Sequence, residues 1–215
     1  MAHTLTAVTG EVADKVKVET ALVSVFDKTG LSDLGKFLAE RKVHVLSTGG
    51  TASKLRECGC TVQDVADYTG SPEILDGRVK TLHPKVHGGI LAARGNEKHK
   101  TEMDKHGIRP IDVVIVNLYP FSDAVAKNPD DFAHCIENID IGGPAMIRAS
   151  AKNNASVAIV SNPAQYTKLM EQIRENGGCT TLAFRKNLAA AAYALTSAYD
   201  SSVSQWMAGK VEEPP

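Results

Sequence analysis

The sequence predicts an α/β protein with a mainly parallel sheet of about five strands flanked by helices. Three observations lead there. Short apolar, β-branched runs such as Val113–Val116 alternate with segments of helical periodicity such as Leu31, Leu34, Phe37 and Leu38. Each run ends in a glycine, asparagine or threonine break. The composition, 43% hydrophobic and 23% charged over 215 residues, suits one large domain with a real core.

Residues 1–18 lack periodicity and are expected to be a flexible N-terminal tail. Residues 19–208 are expected to be the domain, and 209–215, ending Glu212-Glu213-Pro214-Pro215, a linker or a cut chain end. Within the domain, Thr20 to Phe26 reads as a buried strand closed by Asp27-Lys28-Thr29-Gly30, and a helix follows to about Arg41. Val43 to Ser47 is a second strand, broken by Thr48-Gly49-Gly50-Thr51, and a helix begins at Ala52. Thr61 to Val65 is a third strand. Ala66 to Val86 reads as irregular, longer than most loops of compact domains and so a functional candidate. Ile90 to Ala93 and Glu97 to His106 look helical. Val113 to Val116 is the fourth strand, Asp130 to Ile139 and Ala145 to Ala151 are helical, and Ser156 to Val160 is the fifth strand. Asn162-Pro163 starts a helix that Gly177-Gly178 stops, and Thr180 to Met207 is one or two alanine-rich helices.

Charge and cysteines exclude several classes. A net charge of -1 argues against a nucleic-acid or anionic-membrane binder. No apolar run is long enough to span a bilayer, and the N-terminus lacks an apolar signal core, so a cytoplasmic location is expected. Cys58, Cys60, Cys135 and Cys179 form no C-x-x-C pair and read as reduced thiols.

In parallel sheets, ligands bind beyond the carboxyl ends of the strands. That edge should gather Lys28 and Thr29, the Thr48–Thr51 turn, Arg78, Lys80 and His83 of the long loop, and Asn117 with Tyr119. The glycine-threonine turn before a helix reads as a phosphate cradle, or else as a plain βα turn. Neither G-x-G-x-x-G nor a P-loop is present, which disfavours a dinucleotide or triphosphate. Lys80 and Arg78 could hold a second part of an anionic substrate, or be solvated loop cations. His83 and His87 have the spacing of a helical metal pair, but Pro84 lies between them and no H-E-x-x-H follows, so no metal site is expected. Tyr119 could donate a proton and Asn117 orient a carbonyl. Asp140 and Lys152 could approach each other, though a helix-terminal ion pair accounts for both.

Together, SVFDKTG (Ser24–Gly30), LSTGGTA (Leu46–Ala52), DYTGSPEILDGRVKTLHPKVHGGIL (Asp67–Leu91), VVIVNLYPF (Val113–Phe121), ENIDIGGPAMIRASAKN (Glu137–Asn153) and the AYD at Tyr199 resemble the inosine monophosphate (IMP) cyclohydrolase domain of the bifunctional PurH purine-biosynthesis family. The resemblance implies a methylglyoxal-synthase-like fold with added C-terminal helices. It implies closure of the formylated aminoimidazole carboxamide ribonucleotide (FAICAR) to IMP with loss of water, without metal or redox cofactor. By the same resemblance, Ser24, Lys28, Thr29, Ser47, Gly49, Gly50 and Thr51 hold phosphate or ribose. Arg78, Lys80, Thr81 and Gly142 contact the substrate, and Asn117, Tyr119, Asp140 and Lys152 join Lys80 around the reacting atoms. Family precedent adds a homodimer and a C-terminal transformylase domain. Phe26 departs from the serine expected in SVSDK, which removes a hydroxyl from the phosphate site. The rival readings are a methylglyoxal synthase acting on a triose phosphate and a non-catalytic nucleotide-binding regulatory module.

Overall fold

The computed structural model describes residues 12–211. Its centre is a parallel sheet of β2 (Thr20–Val25), β3 (His44–Ser47), β4 (Val62–Asp64), β5 (Val113–Asn117) and β6 (Ala158–Val160), in the order β4-β3-β2-β5-β6. The expected five-stranded parallel sheet is therefore present. Chain order runs outward from β2 through β3 to β4, then resumes on the other side of β2 with β5 and β6. The switch in direction falls between β2 and β5, where α/β sheets open a crevice for ligands.

Both faces of the sheet are covered. Neighbouring strand residues point to opposite faces, yet Leu22 and Val23 are both 0% exposed. One helix group comprises α1 (Leu31–Glu40), packed against α2 (Gly49–Glu57) and α9 (Tyr166–Glu175). The other comprises α8 (Gly142–Lys152), packed on β5 and β6, with α4 (Pro84–Leu91) and α10 (Leu182–Ala208) against it. Helix α1 buries Leu31, Leu34, Phe37 and Leu38, the stripe that its periodicity predicts.

Several elements differ from the sequence reading. Lys15–Lys17, within the expected tail, forms β1 and pairs antiparallel with β7 (Cys179–Thr181); residues 1–11 lie outside the described residues. A run with lysine at both ends, paired only with a strand far along the chain, carries no apolar pattern to announce it. Helix α2 begins at Gly49 rather than Ala52, so the glycines read as a break are its first turn. The irregular stretch contains α3 (Val65–Thr69), and α4 starts at Pro84, the first-turn position that suits proline. Between α4 and β5 lies α5 (Glu97–His106), as expected. Helix α6 (Phe121–Lys127) was not expected, and α7 (Phe132–Glu137) is shorter than predicted. Residues 182–208 form a single helix of 27 residues, roughly 40 Å long.

Arg185 on α10 is 0% exposed. Among the described residues its guanidinium donates to main-chain carbonyls and one hydroxyl: Nε to Asn154, Nη1 to Thr180 and Asp14, and Nη2 to Ala13 and Ala155, at 2.6–3.2 Å, with Thr180 Oγ1 at 3.4 Å. This ties the segment before β1 to the start of α10.

Candidate functional site

At the carboxyl edge of the sheet lies a cavity of about 1160 Å³. Its walls include Ser24, Phe26 and Lys28 after β2, Thr48–Thr51 after β3, Arg78, Lys80 and Thr81 from the long loop, Asn117 and Tyr119 after β5, and Asp140 and Gly142 before α8. The polar clusters expected to converge do so, apart from Thr29 and His83. A second cavity, of about 500 Å³ between β1, α1 and α9, contains none of these residues.

One end of the cavity is an anion site by construction. The first N–H groups of an α-helix have no partner within the helix. Thr48, at the N-cap of α2, makes no side-chain capping bond, so those groups remain available. Gly49 has φ +49°, a left-handed conformation that glycine adopts without strain, and the stem of Lys28 passes within 4.0 Å of where a Gly50 Cβ would stand. The helix dipole and the Lys28 ammonium thus favour the same negative charge.

Some residues expected to touch substrate are engaged elsewhere. Ser47 is fully buried and donates to the Val23 carbonyl at 2.7 Å. The Thr51 hydroxyl donates to the Val25 carbonyl at 3.0 Å and accepts from its N–H at 3.3 Å, which leaves the backbone of Thr51 to face the cavity. Thr29 does not line the cavity, and its N–H donates to Asp27 Oδ1 at 2.9 Å. Hydroxyl counting could not separate Ser47 and Thr51 from Ser24, which lines the cavity and has no such bond among the described residues, because their partners lie on the neighbouring strand β2.

Asn117 is a correction of a different kind. Its Oδ1 accepts from the N–H groups of Phe26 and Asp27, at 2.7 and 2.9 Å, and its Nδ2 donates to the Asp27 carbonyl at 2.8 Å. The amide stitches β5 to the turn after β2, across the switch point. It shapes the cavity and has little capacity left for a ligand.

Tyr119 is half-buried, with its ring edge-on to Phe26 at a centroid distance of 4.6 Å. Phe26, 57% exposed, therefore contributes an aromatic wall where a serine was expected. Lys127, which sequence reasoning missed, donates from Nζ to the Tyr119 hydroxyl at 3.2 Å. An ammonium only donates, so the phenol oxygen accepts and its own proton is free to point elsewhere. No periodicity signalled α6, the helix that brings Lys127 back to Tyr119.

The loop cations rest on carboxylates. Lys80 Nζ lies 3.1 Å from Glu73 Oε2, and Arg78 forms a two-pronged pair with Glu137. That pair raises the pKa of Arg78 and lowers that of Glu137. Ile74 and Val79 bridge the base of this loop, and Leu75 and Asp76 hold positive φ angles of 55° and 54°. Both acids lie within the quoted segments, but their pairing depends on tertiary structure.

Asp140 precedes α8, and its Oδ1 accepts from the Gly143 N–H at 2.8 Å. Burial pushes the carboxyl above the usual range, only partly offset by the Gly143 and Gly142 amides. A side chain at Gly143 would disturb this arrangement, since a Cβ would crowd Asp140 Oδ2 and stand 2.5 Å from Leu118 Cδ2, so that one or both would have to shift. The Tyr199 hydroxyl accepts from the backbone N–H of Asp140 at 2.7 Å. Lys152, expected beside Asp140, is exposed at the last turn of α8, about 15 Å along the axis from Gly142, and does not line the cavity.

His83 caps α4, its Nδ1 accepting from the Lys85 N–H at 3.1 Å. Burial lowers the pKa of His87. Neither histidine lines the cavity.

The arrangement suits an anionic ligand with a planar body: the walls carry a helix terminus and a lysine, aromatic and cationic groups, and a half-buried carboxyl. A family profile described as MGS-like domain matches residues 30–145, and one described as AICARFT/IMPCHase bienzyme matches residues 150–214. The chain is 57% identical over 198 residues to the bifunctional purine biosynthesis protein PurH of Ruegeria pomeroyi, covering 92% of this chain and 37% of that protein. It is 56% identical over 197 residues to PurH of Cereibacter sphaeroides, with the same coverage. The chain thus spans little more than a third of the length of these relatives. A crystal structure titled ForH superposes with a TM-score of 0.76 at 37% identity, covering 87% of this chain and 98% of that one.

Proposed function

We propose, on the premise that this chain belongs to the MGS-like domain family, that it is an IMP cyclohydrolase, closing FAICAR to IMP with release of water. The observation that carries this reading is the shared cavity. It joins an open helix N-terminus for a phosphate to a half-buried carboxyl, a tyrosine hydroxyl and a lysine for ring chemistry. The names of the PurH relatives and of the AICARFT/IMPCHase match support the substrate. A methylglyoxal synthase would also use the cradle, but it would need neither a cavity this long nor α10.

The nucleotide phosphate sits on the first turn of α2 beside Lys28. With the ribotide anchored there, the carboxamide nitrogen and the formyl carbon are held together, and such preorganisation supplies much of the acceleration. The carboxamide nitrogen attacks the formyl carbon, and a C–N bond forms. Asp140 in its ionised form takes the amide proton. Negative charge grows on the former formyl oxygen, where the Lys80 ammonium, released from Glu73, stabilises it. Tyr119 gives that oxygen its first proton and the protonated Asp140 its second; it leaves as water while the formamido nitrogen gives up its own proton to the Tyr119 phenolate and forms the ring C=N bond. Lys127 stabilises Tyr119 when its proton departs.

The proposed setting is the cytoplasm, in a longer protein that also carries a transformylase, by analogy with the relatives. Among the described residues no helix is long and apolar enough to cross a membrane.

Purified chain mixed with FAICAR should produce IMP, followed by ultraviolet absorbance. Lys80→Ala should cut turnover about 100-fold or more while retaining IMP binding, whereas Lys152→Ala should leave turnover near that of the parent. Absence of IMP formation by a folded, IMP-binding chain would favour the regulatory-module reading instead.

A further inference from the structure

We propose that α10 belongs to the catalytic apparatus through Tyr199, whose hydroxyl positions the Asp140 carboxylate from beneath the 139–143 turn. The proposal rests on the cyclohydrolase reading for its kinetic consequences and on geometry for the contact itself.

Tyr199 lies on the last third of a helix that the MGS-like match does not include. It is 8% exposed and reaches Asp140 across 59 residues of sequence. Its oxygen accepts the Asp140 N–H at 2.7 Å, within the short range of good hydrogen bonds. The same residue's carboxylate is held from the other side by the Gly143 N–H at 2.8 Å. A methyl group at Gly143 would displace Asp140 Oδ2 or Leu118. Backbone and side chain of Asp140 are thus fixed at both ends, one by α8 and one by α10.

The surroundings of Tyr199 bear on a second group in the cavity. Tyr199 shares a small buried cluster with Phe121 and Cys135, against which Leu118, Ile139, Val203 and Trp206 pack. Leu118 and Phe121 bracket the Tyr119 segment, and Ile139 adjoins Asp140. One end of α10 therefore underlies both the proposed proton donor and the proposed base. A core lacking α10 would keep the cradle and the Gly143 contact to the carboxylate but lose the bond that fixes the Asp140 backbone.

Tyr199 touches no substrate in this account. It is a positioning residue, and its test needs a measurement that ordinary packing would not move. Tyr199→Phe keeps the ring and removes only the acceptor. In the full chain, this variant should remain folded and bind FAICAR with a KM within about twofold of the parent. Its kcat should fall roughly 10- to 100-fold, as expected for a displaced reacting group. The acid limb of its kcat profile should move to higher pH, because the turn that offers N–H groups to the ionised carboxylate is loosened. Val203→Ala, which thins the same cluster without touching the hydroxyl bond, should leave that limb in place. Carbon NMR titration of Asp140, assigned with Asp140→Asn, provides an arm independent of turnover, and Tyr199→Phe should raise its midpoint without substrate. If parent chain fails to convert FAICAR, the cyclohydrolase reading falls, and the titration alone decides the positioning claim. An unmoved Asp140 midpoint in Tyr199→Phe, or an equal shift in Val203→Ala, overturns the proposal.

Discussion

Replacing Asn117 with leucine separates positioning from chemistry at the centre of the cavity. The side chains are similar in size, so the change mainly removes three hydrogen bonds, at 2.7, 2.9 and 2.8 Å. At about 1 kcal/mol net for each bond, their sum is about 3 kcal/mol. The main-chain groups of Phe26 and Asp27 lie at an exposed turn and recover part of this from water, so a loss of about 2 kcal/mol is expected. For a domain of this size that lowers Tm by roughly 4–8 °C. The loosened turn carries Lys28, so IMP should bind about tenfold more weakly, equivalent to about 1.4 kcal/mol. Thermal unfolding and calorimetric titration with IMP measure both. Asn117→Asp keeps both acceptor contacts, loses the donor to the Asp27 carbonyl, and places a negative charge beside the phosphate site. It should unfold closer to the parent yet bind IMP more weakly than its stability loss suggests. Parental Tm and IMP affinity in Asn117→Leu, with turnover alone abolished, would refute the reasoning and return Asn117 to the reacting atoms.

Other substitutions probe the remaining parts. Asp140→Asn should abolish turnover yet stabilise the fold at neutral pH. The folded carboxyl titrates above its unfolded value, so the parent carries a penalty that is absent below the unfolded pKa, about 3.9, and grows as pH rises through the folded one. Denaturant melts at several pH values should show the advantage of Asn growing over that window, and an advantage largest in acid would contradict it. Gly143→Ala forces a methyl group against Asp140 Oδ2 and Leu118; kcat should drop by about two orders of magnitude, and a crystal structure should show the carboxylate displaced. Arg185→Ala leaves five carbonyls without their donor and opens a void, so urea melts should register a loss of about 3–5 kcal/mol.

The sheet was legible because its central strands are buried on both faces and so read as uninterrupted apolar runs, as Val113–Val116 does. The short edges were not. Lys15–Lys17 and Cys179–Thr181 make a strand only by pairing with each other across the length of the chain. The site was legible as a place, since the parallel topology sends every strand's following loop to one edge. Roles within it were harder to read. Thr51 and Asn117 carry functional groups that tertiary neighbours consume, and Lys152 sits a helix length from Asp140 despite a shared segment. Lys127 and Tyr199 enter the cavity's chemistry through contacts made by α6 and α10, which no local pattern in the chain specifies.

The setting of Arg185 has a consequence for how such a chain can change over generations. Its guanidinium is received almost wholly by main-chain oxygens, which every residue type presents alike. Ala13, Asp14, Asn154 and Ala155 can therefore drift in identity without disturbing the clasp, while Arg185 cannot. A lysine would bring one nitrogen to a socket that requires several directions at once. The invariance demanded here is lopsided: one position is constrained by shape and charge, and its partners are constrained only to keep their backbone in place.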